Sequence, residues 1–91
     1  MNQREIPVCF SSFLVSLASS AMLHLGEAPD PVTRTRTVNL GLARNTIDVL
    51  GLLKAKTEGN LDNEETKLIE TLLYELRLKF VEASQRDAAA P

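Results

Sequence analysis

Cys9 and His24 are the only cysteine and the only histidine of the chain, and they are its one conventional nucleophile and base. A catalytic thiol and its base must lie within hydrogen-bond reach of each other. These two residues stand fifteen positions apart, in a segment predicted to be largely one helix, which separates them by roughly 20 Å. We therefore expect the protein not to be an enzyme. Cys9 is predicted to be a small, partly buried apolar residue, and His24 a helix-end residue near free carbonyl groups.

The acidic residues do not form a recognisable metal site. Zinc sites built from cysteine and histidine need more ligands than one residue of each type. Glu64, Glu65 and Glu70 lack the Glu-x-x-His partners of di-iron bundles, and we interpret them as the solvated first turn and face of a helix. The four glycines are too dispersed to form a phosphate-binding loop. We expect no metal and no cofactor.

The one candidate for contact with a ligand is a basic segment that contains Arg34, Arg36 and Arg44. Arginines near a helix N-terminus can hold a phosphate or an acidic partner. Solvated loop charge is the competing interpretation and the favoured one, because no aromatic residue lies nearby to stack a base. A nucleic-acid-associated accessory protein that uses residues 34–44 is therefore kept as an alternative, and nucleic acid is not the expected partner.

The composition of the chain permits one small domain. Its 91 residues are 44% hydrophobic and carry a formal net charge of −2, which is too apolar and too weakly charged for a disordered chain. A disulfide scaffold is excluded within one copy, because Cys9 has no second cysteine to pair with. A chain this short buries only about 60–65% of its unfolded surface, so its stability is marginal unless it associates.

Residues 6–25 contain no Asp, Glu, Lys or Arg, and three interpretations of this stretch compete. A secretory signal needs a positive N-terminal region, but Arg4 is followed by Glu5. A membrane span needs about 20 apolar residues, and here Pro7 and several serines interrupt the stretch. The third interpretation, a buried amphipathic helix, is favoured by the helical spacing of its apolar residues. These are Phe10, Phe13, Leu14, Leu17, Ala21 and Leu25.

This first helix is predicted over about residues 11–25, with Ser11 or Ser12 as its N-cap and Gly26 as its left-handed end. A separate face carries serines at positions 12, 16, 19 and 20. That face is either solvent-exposed or in close contact with a neighbouring helix. A membrane-associated or exported protein led by residues 10–25 remains an alternative, and a membrane is not the expected partner.

Two further helices are predicted after a linker that contains two prolines. The second covers about residues 39–58, with Asn39 as its N-cap, and the third covers about residues 63–85. Asp62 and Glu65 have the spacing of a reciprocal capping box. Because only residues 59–62 connect them, helices 2 and 3 are expected to be antiparallel neighbours.

The predicted fold is all-α, with an antiparallel hairpin of helices 2 and 3 packed against the N-terminal helix. Residues 10–86 form the domain, residues 1–9 an arm and residues 87–91 a frayed tail. Gly51, inside helix 2, is expected to allow close packing. The core residues predicted on helices 2 and 3 are Leu40, Ala43, Ile47, Leu50, Leu53, Leu68, Ile69, Leu72, Leu73, Leu76, Phe80 and Ala83.

Helices 2 and 3 carry more apolar surface than one partner helix readily covers. Large exposed apolar patches are rare on monomers, so we expect a homodimer to complete the fold. The alternative is that helix 1 wraps both helices and hides these residues. The predicted self-association surface consists of Tyr74, Leu78, Val81, Leu42, Val49 and Leu52.

Opposite charges are segregated along the chain. Residues 34–56 contain five basic residues and one acid, whereas residues 58–75 contain six acids and one base. We expect these charges to neutralise each other across the hairpin. On the wet side of helix 3, Glu75 with Lys79 and Glu82 with Arg86 have the favourable i,i+4 spacing.

The chain resembles the bacterial family of domain of unknown function 1844 over about residues 8–83. The resemblance lies in FSSFLVSLASSA at 10–21, HLGE at 24–27 and PDP at 29–31, and later in NL at 39–40, TID at 46–48, KT at 56–57, GNL at 59–61 and LL at 72–73. The family implies a small, helical, cytoplasmic bacterial protein without a signal peptide. It has no established activity, so it implies no catalytic or binding residues.

The sequence thus predicts a cytoplasmic, non-enzymatic three-helix protein that self-associates and serves as an interaction module for a protein partner not identified by its sequence. The nucleic-acid and membrane alternatives are distinguished from it by salt-dependent retention on DNA or RNA and by cell fractionation.

Overall fold

The computed structural model describes residues 8–89, and three helices account for most of them. They are α1 (Phe10–His24), α2 (Leu40–Lys56) and α3 (Asn63–Ala89). Each helix packs against the other two, and no strand occurs within residues 8–89. The predicted all-α fold of three packed helices is therefore confirmed. Helix α3 continues past residue 85, where its end was predicted, to Ala89.

Helix α1 begins one residue earlier than predicted, and its N-cap is Cys9. Cys9 has extended backbone angles, and its Sγ accepts a hydrogen bond from the Ser12 backbone N–H at 3.4 Å. The Ser12 hydroxyl in turn donates to the Cys9 carbonyl oxygen at 3.1 Å. The prediction that Ser11 or Ser12 caps this helix was wrong, because the thiol occupies the position that a cap hydroxyl usually takes.

Gly26 ends α1 as predicted. Its φ of +79° lies in the left-handed region, which favours glycine. The Gly26 N–H donates to the Leu23 carbonyl at 3.1 Å, and the Glu27 N–H donates to the Met22 carbonyl at 3.0 Å, which together form a Schellman motif. A Cβ on Gly26 would lie 2.8 Å from Cγ2 of Val38, so a side chain here would also collide with the loop that leads into α2.

The loop between α1 and α2, residues 25–39, is organised around Asp30. Its carboxylate accepts hydrogen bonds from the backbone N–H groups of Val32 and Thr33 at 2.7 and 3.3 Å, which is the geometry of an Asx turn. The Asp30 N–H donates to the Thr35 carbonyl, and the Arg34 N–H donates to the Asp30 carbonyl. These bonds fold the loop back on itself and place Arg34 in a left-handed conformation with φ 61°.

The connection between α2 and α3 contains the predicted capping box. The Glu65 N–H donates to Oδ1 of Asp62 at 2.7 Å, and the Asp62 N–H donates to Oε1 of Glu65 at 3.0 Å. At the other end of the hairpin, Asn39 caps α2 by accepting from the Leu42 N–H at 3.0 Å. Helix α2 ends at Lys56, two residues before its predicted end at residue 58, and Gly59 lies in the turn with φ +84°.

The core lies where the three helices meet, and it contains no buried polar side chain among the described residues. Phe13 was predicted on the buried face of α1, but 48% of it is exposed; Ala18 is buried instead. Of the serines on the other face, Ser16 and Ser19 are exposed. The fully or nearly fully buried residues are Leu14, Ala18, Ala21, Leu25, Ala43, Ile47, Leu50, Ile69, Leu73, Leu76 and Ala83.

The molecule is flat. Its Cα extents are 46 × 39 × 16 Å, and its Cα radius of gyration is 14.8 Å. A compact domain of this length has a radius of gyration of about 12 Å. The three helices therefore form a thin plate, in which a side chain that points away from the helix junction reaches solvent directly.

Candidate interaction surfaces on helices 2 and 3

The outward stripe of α3, defined as Tyr74, Leu78 and Val81, is exposed. Solvent reaches 69% of Tyr74, 48% of Leu78 and 50% of Val81. At 100° per residue these positions lie nearly opposite Ile69 and Leu76, which point into the core. Helix α1 does not cover the stripe, so the alternative in which that helix hides all the apolar surface does not hold for α3.

The predicted residues on α2 form a second, separate stripe. Leu42 and Leu52 are 48% and 58% exposed, while Val49 is half-buried. Leu42 is about 200° of helix rotation away from Arg44, and Arg44 lies on the side of α2 that meets α3. The six residues predicted as one self-association surface are thus two stripes, and only the outward stripe of α3 adjoins the junction of α2 and α3.

An open groove of about 460 Å³ runs along that junction. Its floor is apolar and its rim is charged. The guanidinium of Arg77 lies across α2, and a Cβ built on Gly51 would be 3.3 Å from its Nη2 atom. This contact confirms that Gly51 permits a close approach, and it identifies the neighbour as a cation. The groove is lined by Arg44, Ile47, Asp48, Arg77, Phe80 and Val81.

The three arginines predicted as an anion or partner contact are not gathered into one cluster by any described contact. The Nε atom of Arg44 lies 3.9 Å from Oδ2 of Asp48, one turn along the same exposed helix face. Arg34 and Arg36 are exposed in the loop and make no ion pair within residues 8–89. The structure therefore associates Arg44 with the groove of α2 and α3, and Arg34 with the Asp30 turn.

Cys9 and His24 lie at opposite ends of α1, as the N-cap and the last helical residue. Cys9 is exposed, so its predicted partial burial was wrong. The Ser12 hydroxyl, whose oxygen lies 3.3 Å from Sγ, and then the Ser12 backbone N–H, which donates to Sγ, lower the pKa of Cys9. The carbonyl of His24 accepts a hydrogen bond from the Asn39 N–H at 2.7 Å, which joins the end of α1 to the start of α2.

Sequence reasoning missed the charged contact that joins the start of the loop after α1 to α3. Oε1 of Glu27 lies 3.6 Å from Nζ of Lys79, and Oε2 of Glu27 lies 3.9 Å from Nη2 of Arg86. The predicted i,i+4 pairs, Glu75 with Lys79 and Glu82 with Arg86, do not form, because both cations turn to Glu27 instead. The predicted neutralisation across the hairpin was also wrong: within residues 8–89 no ion pair joins α2 to α3.

Two classes of site are absent from the described residues. No three potential metal-ligating side chains of residues 8–89 come together. In the same range, no helix combines the length and the apolar character that crossing a bilayer requires.

Comparisons with curated proteins and with solved structures found no significant match. A comparison with family models did find one. The model described as "Domain of unknown function (DUF1844)" matches residues 7–82, which include all of α1 and α2 and most of α3. The chain therefore belongs to this family of domains of unknown function.

Proposed function

We propose that this protein is a non-enzymatic, self-associating helical interaction module. The observation that supports this best is the exposure of the outward stripe of α3, where Tyr74, Leu78 and Val81 are each about half-exposed or more. Monomeric soluble proteins rarely leave contiguous large apolar side chains uncovered. Because every molecule of this protein can meet a second copy of the same chain, a second copy is the proposed partner for this stripe.

The shape of the chain supports the same proposal. A plate only 16 Å thick has little interior, and its radius of gyration of 14.8 Å exceeds the value for a compact domain. Association of two such plates through an apolar face adds buried area without any new fold element. The stability gained from this added buried area is large for small domains, because their own cores provide limited stability.

The absence of a plausible catalytic pair among the described residues supports the non-enzymatic part. The only cysteine and the only histidine lie at the two ends of one helix, and a nucleophile must contact its base. We place the protein in the bacterial cytoplasm, a proposal that rests on the family resemblance of the sequence.

The direct test is sedimentation velocity of the full chain at micromolar concentration. We expect a species of twice the 10.0 kDa chain mass that dissociates on dilution. A single species of chain mass at the highest soluble concentration would contradict self-association.

If a second copy covers the outward stripe of α3, the stripe of α2 remains exposed, and we propose that a different protein partner binds there. Leu52 is the most exposed residue of that stripe. We expect Leu52→Ser to reduce co-purification of a partner from native cells and to leave the sedimentation of the chain unchanged. Loss of self-association in this variant would instead assign the α2 stripe to the homodimer.

A nucleic-acid role has less support. The formal net charge is −2, and Arg44 already has a carboxylate neighbour in Asp48. Replacing Arg34 and Arg36 with alanine tests this alternative by retention on DNA and RNA at low salt. Retention of the wild-type chain that is lost in the double variant would favour it over the interaction module.

A further inference from the structure

The outward stripe of α3 has the spacing of a two-stranded coiled-coil seam. Tyr74, Leu78 and Val81 are separated by four and then three residues, which is the alternation of heptad positions d, a and d. In the same register Thr71 and Gln85 take the neighbouring a positions. Both are polar and exposed, so they border the three large apolar residues on the same face of α3.

The two flanks of the seam carry opposite charges beside Leu78 and Val81. Arg77 precedes the a position Leu78 and is on one flank; Glu82 follows the d position Val81 and is on the other. Both are exposed, and neither makes an ion pair within residues 8–89. Arg77 borders the groove that α3 forms with α2, and its exposed side chain, like that of Glu82, is open to a second copy.

We propose that two copies pair in parallel through the outward stripes of their α3 helices, with Arg77 of each copy facing Glu82 of the partner subunit. This inference rests on the proposed self-association and specifies its geometry. In a parallel pair, a residue that precedes an a position meets the residue five places later on the other helix. Arg77 and Glu82 have that separation, and twofold symmetry forms the ion pair twice.

An antiparallel pair would bring like flanks together. With Tyr74 packed against Leu78 of the partner subunit, Arg77 would face Arg77 of the partner subunit, and Glu75 would face Glu75 of the partner subunit. Like charges at facing positions are destabilising. In the parallel pair the unfavourable meeting is that of Glu70 with Glu75 of the partner subunit. It lies at the N-terminal edge, where the seam positions Lys67 and Thr71 are polar, so the helices separate there.

Charge reversal tests the facing residues. Arg77→Glu and Glu82→Arg should each weaken self-association, by about 5- to 30-fold in dissociation constant for two exposed pairs turned repulsive. The chain that carries both reversals should recover most of the wild-type affinity, because each new glutamate faces a new arginine. Arg36→Glu and Glu58→Arg make the same charge changes away from α3 and should leave the dissociation constant unchanged.

Cysteine cross-linking tests the direction. In a Cys9→Ser background, Gln85→Cys should form a disulfide with itself under oxidised glutathione, since equal seam positions meet in a parallel pair. An equimolar mixture of Lys67→Cys and Gln85→Cys chains should form no mixed disulfide, because these positions are eighteen residues apart, about 27 Å along the helix, whereas the antiparallel register would place them opposite each other. The oxidant accepts the two electrons and two protons that the thiols lose.

The results separate the two proposals. A monomer in sedimentation overturns self-association and the parallel pair together. A dimer that gives the mixed disulfide of positions 67 and 85, or whose dissociation constant is unchanged by both charge reversals, overturns the parallel pair alone. A dimer with recovery in the double reversal and a disulfide at position 85 supports both.

Discussion

The inward and outward faces of α3 are similar in residue type and opposite in environment. Ile69, Leu73 and Leu76 are at most 3% exposed, whereas Tyr74, Leu78 and Val81 are 48–69% exposed. Each set repeats at helical spacing over about two turns. Neighbouring helices of the same chain cover one set and leave the other open. Periodicity thus identifies an apolar face, while only the arrangement of the other helices decides which face a single chain can bury.

The largest expected effect comes from the inward face. Leu73→Ala removes a side chain that is 3% exposed, so it should lower the free energy of unfolding by about 2–5 kcal/mol through lost burial and a cavity. Urea unfolding of the variant and the wild type at the same protein concentration measures this. A change below about 1 kcal/mol would contradict the burial of this face.

The same substitution on the outward face should act on association. Leu78→Ala should raise the dissociation constant of the homodimer by about tenfold or more, as truncation of a central interface residue does. At a concentration where both chains are monomeric, it should change the free energy of unfolding by about 0.5 kcal/mol or less. Dilution in sedimentation and urea unfolding give the two values. Equal losses of stability in Leu73→Ala and Leu78→Ala would contradict the assignment of one face to the core and the other to association.

A smaller effect is expected at the flank of α3 that contacts the end of α1. Glu27→Gln removes the carboxylate that Lys79 and Arg86 share, and all three side chains are partly exposed. At low salt the free energy of unfolding of the variant should be about 0.2–1 kcal/mol lower than that of the wild type. This difference should shrink as added salt screens the wild-type ion pairs. Glu58→Gln is the matched control, because Glu58 has no ion pair within the described residues. A salt-independent loss would assign the effect to packing.

The smallest effect on stability is expected at the N-cap, away from both faces. Because hydrogen bonds from Ser12 lower the pKa of Cys9, the thiolate is populated at lower pH than in an ordinary thiol. Ser12→Ala removes the hydroxyl beside Sγ, so the midpoint of alkylation rate against pH should move upward. Ser16→Ala, one turn further along, should not move it. Unchanged midpoints in both variants would show that the hydroxyl does not stabilise the thiolate.

Features set by residues close together in the sequence were predictable. The capping box of Asp62 and Glu65 and the left-handed end at Gly26 depend on spacing and on conformational freedom within a few residues. The inward face of α3 followed from its period for the same reason. The cap at Cys9 was missed because two serines nearby are the residue type that usually caps a helix.

Features set by tertiary packing were not predictable. Lys79 and Arg86 each have a glutamate at the favourable i,i+4 spacing, yet both contact Glu27, which is far away in the sequence. Phe13 belongs to the apolar face of α1 by period, but no helix of the same chain covers it fully. Within the candidate surfaces, the split into two stripes depends on where α3 meets α2, which periodicity alone does not contain.

The unequal connections between the helices also bear on the order in which the fold forms. Helices α2 and α3 are joined by a six-residue turn, Thr57 to Asp62, whereas α1 reaches α2 through a 15-residue loop. Closing the longer loop costs only about 0.8 kcal/mol more in chain entropy. The capping box, however, begins α3 using contacts three residues apart, and such local contacts form first. We therefore expect the α2–α3 hairpin to form early and α1 to dock onto it last.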